Sequence, residues 1–242
     1  MATPRLLLAL CLACIPLAIV FVLYMVMAKD APDAPAPKSI LAYLEPLKTA
    51  DAWWLMAFYS VTFGGFVGLA ASLPIYFTVQ FGLTTITAGY CTAACVFAGS
   101  LIRPLGGALA DKVGGVKTLS VVYVAAAVAL AGVSIAPSVQ SALGFFVVAM
   151  LALGAGNGAV FQLVPQRFRA EIGVMTGLVG MAGGFGGFYL ASSLGFAKQL
   201  TGSYQSGFLI FAGLALVALG GISIAKGKWR RTWAVAAEGV RI

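Results

Sequence analysis

The sequence has 242 residues, 61% of them hydrophobic and only 9% charged, with a mean hydropathy of +1.01 and a net charge of +8. Soluble domains carry about 25% charged residues, so this composition excludes a soluble globule and points to an integral membrane protein. With no histidine in the chain, an imidazole metal site and a histidine proton relay are excluded too.

Apolar runs of about 18 residues or more, enough to cross a bilayer, recur along nearly the whole length. Period-two alternation is absent, which excludes a barrel. The runs predict an all-α helical bundle of seven spans, at about 5–28, 52–79, 85–110, 116–136, 140–164, 173–196 and 204–226. The first, 1–28, exceeds the roughly 7–15 residues of a signal-peptide apolar region and is expected to be a true span. Residues 29–51, with Asp-Ala-Pro repeats, predict a flexible linker, with a short surface helix over Ser39 to Lys48. The next six helices, 52–226, fall into two triplets joined by short loops and running in opposite senses. That is the arithmetic of an inverted-topology repeat in a secondary transporter. Residues 227–242 form a basic tail.

Charge sets the orientation. Twelve basic residues fall on the side of the bilayer that holds 29–51, a charged loop at 111–117, the turn at 165–172 and the tail; only Arg5 and Lys198 fall on the other. By the positive-inside rule the first side is cytoplasmic, which makes the tail a topology determinant and argues against nucleic-acid binding. Cys11, Cys14, Cys91 and Cys95 all lie in apolar helices and read as small hydrophobes.

The chemistry concentrates at one depth. Arg103 precedes Asp111, the start of the charged loop, by eight residues, placing it on the order of 12 Å inside the hydrocarbon. An Arg there costs roughly 2.5–3.5 kcal/mol on insertion scales. Either it snorkels to Asp111 or helix-end carbonyls, or a transported anion supplies the counter-charge. Tyr59 lies eight residues in from Asp51 and shares a helix face with Phe63; Asn157 lies eight residues before Pro165. Gly183 belongs to a run that includes Gly186 and Gly187. Alone, each has a packing explanation: ring packing, interhelical glue, a small-residue seam. Together beside an Arg they describe an anion site, in which a guanidinium fork binds a planar oxyanion and Tyr59 and Phe63 sandwich it. No buried carboxylate is expected in the spans, so an exchange mechanism fits better than proton coupling. No nucleophile–base pair, metal cluster or phosphate loop is present, so neither an enzyme nor a cofactor is expected.

The segment Gly107 to Lys117, GALADKVGGVK, resembles the loop motif between the second and third helices of a major facilitator half, carried by Gly107, Leu109, Asp111, Lys112, Gly114, Gly115 and Lys117. With YSVTFGGFVGL at 59–69, Arg103 in LIRPLGG and AGGFGGFYL at 182–190, the chain is similar to the nitrate/nitrite porter family. The resemblance covers about residues 39–226, with 1–28 matching the preceding helix. It implies that Arg103 binds nitrate, that Tyr59 and Phe63 flank it, and that Gly183, Gly186 and Gly187 are the signature glycines. Members have twelve or more helices, and this chain resembles the last seven. The expected partners are therefore nitrate or nitrite, the lipid bilayer, and an amino-terminal half supplied by upstream sequence or a separate polypeptide. The expected place is a bacterial inner membrane with a cytoplasmic carboxy terminus. The competing expectations are a facilitator for another small anion, or a transport-incompetent fragment.

Overall fold

The structure, a computed structural model, describes residues 4–29 and 43–233. The chain divides into two units, Met1–Ser39 and Ile40–Ile242. In the first, α1 spans Pro4–Met27 as one 24-residue helix that includes Pro16. In the second, six helices follow: α2 (Ala50–Phe81), α3 (Thr85–Val113), α4 (Gly115–Ser134), α5 (Val139–Arg167), α6 (Ile172–Thr201) and α7 (Gln205–Thr232). All six are long and apolar enough to cross a membrane. Most of the expected linker, the start of the expected surface helix and the tail beyond residue 233 lie outside the described residues. The described part of that surface segment forms a 3-10 turn at Glu45–Lys48.

Local chemistry sets the helix ends. The Thr49, Thr84 and Ser138 hydroxyls accept from backbone N–H groups of Ala52, Thr87 and Ser141, and Ser138 and Ser141 complete a reciprocal capping box. α2 and α6 stop at Gly82 (φ 67°) and Gly202 (φ 71°), where the left-handed conformation costs glycine nothing.

The helices outlast the apolar runs, because polar ends stay helical past the hydrocarbon. α5 continues through Gln166 and Arg167, and α7 carries Lys226, Lys228, Arg230 and Arg231. The largest correction concerns the charged loop expected at 111–117. Asp111 and Lys112 lie in the last turn of α3, and Lys117 already belongs to α4. Gly114 alone makes the break; at φ 101°, ψ 138° it occupies a region essentially reserved for glycine.

Packing follows the two triplets. α2, first of one triplet, packs most extensively on α6, second of the other, and α5 packs likewise on α3. Both crossings use small residues. A Cβ on Gly64 would come within 2.6 Å of Gly186, and one on Gly158 would collide with the Arg103 carbonyl and Gly107. Such close backbone approach gains dispersion contact where lipid offers no hydrophobic driving force. α4 and α7 pack on each other and behind these pairs, with the buried Tyr123 hydroxyl donating to the Phe58 carbonyl at 3.0 Å.

Asp51, expected at the end of a linker, is 6% exposed in the first turn of α2. Its carboxylate accepts from Arg167 Nε (2.6 Å), Trp229 Nε1 (2.9 Å) and Trp233 Nε1 (3.3 Å), joining α2, α5 and α7. Pairing and hydrogen bonding are what allow a carboxylate to be buried; here all three partners arrive from parts of the chain more than 110 residues away. Asp51 precedes the expected span 52–79 by one residue, so this buried carboxylate stands at the foot of the helix and not within an expected span. Trp53 is exposed and donates to the Leu47 carbonyl, whereas Trp54 turns inward and stacks on Phe58 at 5.6 Å.

Candidate functional site

α2, α3, α5 and α6 supply the residues singled out in the sequence. Arg103, on α3, is half-buried, with its guanidinium 5.4 Å from the Phe63 ring centre and 4.5 Å from that of Phe66. Its Nε is buried without a hydrogen-bond partner. Cation–π contact offsets part of the lost hydration, about 2 kcal/mol or more when desolvated, but it satisfies no N–H. A donor fork is thus held against aromatic faces with bonding capacity in reserve.

Tyr59 and Phe63 stack on one another, centroids 5.1 Å apart and planes within 7°. A flat anion in van der Waals contact with two rings needs them about 7 Å apart. The pair therefore forms a single aromatic wall in this conformation, not two jaws around a ligand. The i,i+4 spacing that puts the rings on one face also brings them together. Phe161 of α5 abuts Tyr59 edge-on at 4.9 Å.

Asn157 is 3% exposed, and neither its Nδ2 nor its Oδ1 has a partner. It lies on the same α5 stripe as Phe161, which meets Tyr59, and Leu153, which meets Gly65. The residue therefore lies on the α5 face that meets α2, between the contacts of Leu153 and Phe161. A buried, unanswered amide costs about 1–3 kcal/mol, so its presence asks for a ligand or water.

The signature glycines divide by role. A Cβ on Gly183 would stand 2.6 Å from the Tyr59 ring and 2.9 Å from that of Phe63, so this glycine makes room for the wall itself. Gly186 and Gly187 sit farther along the α2–α6 seam, against Ser60, Gly64 and Val67. The structure thus brings Arg103, Phe63, Tyr59 and Gly183 together directly and Asn157 through Phe161. It places Gly186 and Gly187 in the helix contact. The motif residues lie at the α3–α4 junction: Gly107 faces Gly158, and Gly115 faces Gln162 and Leu163. Phe66 and Phe161 were missed in the sequence; Phe66, three residues after Phe63 and so on its face, was the more accessible of the two.

Two of these helices are open on one side. Phe97, Leu101 and Leu105 on α3 and Phe185, Phe188 and Tyr189 on α6 are strongly exposed, and these two are the least covered of the six spans. Among the described residues no cluster of metal-ligating side chains occurs.

Comparison with known proteins agrees with this architecture. The model of the Major Facilitator Superfamily matches residues 5–191. The chain is 36% identical over 170 residues to a nitrite extrusion protein of Bacillus subtilis, covering 69% of this chain and 42% of that protein. It is 36% identical over 203 residues to a probable nitrate/nitrite transporter, NarK2, of Mycobacterium tuberculosis, covering 81% and 51%. A probable nitrate/nitrite antiporter, NarK1, of Thermus thermophilus is 30% identical over 200 residues, covering 75% and 45%. The chain spans about half the length of these relatives. With a family match over most of its length and six apolar helices of spanning length, this multi-pass membrane chain belongs to the Major Facilitator Superfamily.

Proposed function

We propose that the chain is the carboxy-terminal half of a nitrate/nitrite transporter that moves small oxyanions by alternating access. Residues 52–226 act as one helix bundle, and residues 1–28 act as the last helix of the preceding half. Residues 29–51 serve as the tether and 227–242 as a cytoplasmic tail, in a bacterial inner membrane. The partner is an amino-terminal half, from upstream sequence or a separate chain, seated on the open sides of α3 and α6.

The observation that carries this reading is Arg103, an orphaned guanidinium donor among aromatic rings in a membrane span. Nitrate is planar and weakly hydrated; two of its oxygens can accept parallel N–H bonds from the fork while its face lies against a ring. Asn157 adds a neutral donor that does not repel either loaded or empty states. The similarity to nitrate and nitrite carriers supports the same substrate class. In a carrier of this kind the substrate lies between two bundles, and one bundle rocks against the other. Because the charge that answers Arg103 is the cargo, reorientation empty is disfavoured, which suits exchange.

The test is nitrate uptake by the chain co-expressed with its amino-terminal half. Arg103→Lys keeps the charge but loses the fork, and uptake is expected to fall on the order of tenfold or more at unchanged membrane level. Near-normal uptake by the Lys variant overturns the role of Arg103. Inhibition by succinate as strong as by nitrite would instead favour a carrier for larger organic anions.

A further inference from the structure

Where α5 ends and α6 begins there is a cavity of about 300 Å³, lined by Gln166, Arg167, Arg169, Glu171, Thr232 and Trp233. It is separate from the Arg103 layer. Its lining mixes signs: two guanidinium groups, one carboxylate and an amide. Gln166 Oε1 is buried there without a hydrogen-bond partner. Glu171 occupies the N-cap position of α6, yet its side chain caps no backbone N–H. The first N–H groups of α6, next in the chain to Glu171, therefore have no side-chain cap. Arg167 commits only its Nε to Asp51.

The depth of the cavity is set by the helices that build it. The apolar run of α5 ends at Val164 and that of α7 at Ala225, and α7 stays helical through Thr232. The cavity thus runs from Gln166, about 3 Å beyond the apolar run of α5 and within a head-group layer roughly 5–8 Å thick, to Thr232, about 10 Å beyond that of α7 and just past the layer. Trp233, stacked on Trp229 at 4.4 Å and held by its N–H to Asp51, forms the buried wall of the cavity.

We propose that this cavity is a head-group site for a phospholipid whose head carries both a phosphate and a primary ammonium, as in phosphatidylethanolamine. The phosphate is taken by Arg169, the free Nη groups of Arg167 and the α6 N-terminus. The ammonium donates to the Glu171 carboxylate and to Gln166 Oε1. A purely anionic head group leaves that oxygen unanswered and meets Glu171 with like charge. A choline head group has no N–H to give. The end of the cavity at Gln166 and Arg167, within the head-group layer, favours a membrane lipid over a free solute.

The experiment is native mass spectrometry of the full chain in detergent, titrated with dioleoyl lipids bearing ethanolamine, choline or glycerol heads. One ethanolamine lipid is expected to bind on the order of tenfold more tightly than its choline and glycerol counterparts. Glu171→Gln, a near-isosteric change at a half-buried position, should erase that preference, and Arg169→Ala, at an exposed one, should weaken all three lipids. Equal affinity for ethanolamine and choline heads, or a preference that survives Glu171→Gln, overturns the proposal. So does displacement of the lipid by stoichiometric glycerophosphoethanolamine, which would identify a soluble ligand.

Discussion

Gly183 and Gly184 are chain neighbours with opposite tolerances. A methyl on Gly183 meets the Tyr59 ring at 2.6 Å, whereas one on Gly184 meets nothing within 4 Å. Overpacking of this kind costs typically about 1–3 kcal/mol. Gly183→Ala is therefore expected to lower the melting temperature in detergent and to move the aromatic wall, measured as weaker anion binding. Gly184→Ala should match the parent in both; equal effects would show that the wall does not rest on Gly183. Asn157 gives a second contrast. Leucine has its branched shape without its polar atoms, so Asn157→Leu removes an unanswered amide worth about 1–3 kcal/mol. Stability is expected to hold or rise while uptake by the assembled transporter is lost. A lower melting temperature would mean that the amide holds helices together in the membrane. Depth along a helix follows from counting residues, which is why Tyr59, Arg103 and Asn157 were legible as one layer. How rings arrange themselves is not, because the same spacing serves an open pair and a stacked one.

At the scale of elements, Asp51 ties the start of α2 to the ends of α5 and α7. Breaking a buried pair from one side strands its partners, and the penalty can reach about 3–5 kcal/mol. The Arg167 side chain is 37% exposed, so water rehydrates it and the cost shrinks. We expect Asp51→Ala to destabilise by roughly 2 kcal/mol, more than Arg167→Ala does, in thermal unfolding followed by circular dichroism. The reverse order would place the stabilisation in Arg167 packing on Phe168. Nothing local announced this cluster. Asp51 follows Lys48 and Thr49 at the foot of a proline-rich stretch, and its donors stand 116, 178 and 182 residues away. The spans themselves were legible because bilayer thickness imposes a long apolar run. The α3–α4 junction was not, because Asp111 and Lys112 look like loop residues, and only the φ of Gly114 shows that one residue suffices to part the helices.

Across the whole molecule, the first helix of each triplet seats on the second helix of the other, so α2–α6 and α3–α5 are counterparts. Both glycine seams lie in these crossings, and the site layer spans all four helices. The outer pair, α4 and α7, is the part furthest from the ligand, yet α7 carries the two indoles that complete Asp51. This has a consequence for biosynthesis. α2 leaves the ribosome 178 residues ahead of Trp229, roughly 10–35 s at ordinary synthesis rates. Throughout that interval the Asp51 carboxylate lacks two of its three donors, and the nascent bundle advertises its incompleteness to membrane proteases. Arrival of the last helix removes the signal. A stop codon after Lys228 should therefore shorten the pulse-chase half-life severalfold, while a stop after Trp233 should leave it unchanged, and Asp51→Leu should rescue the shorter chain by removing the carboxylate that waits.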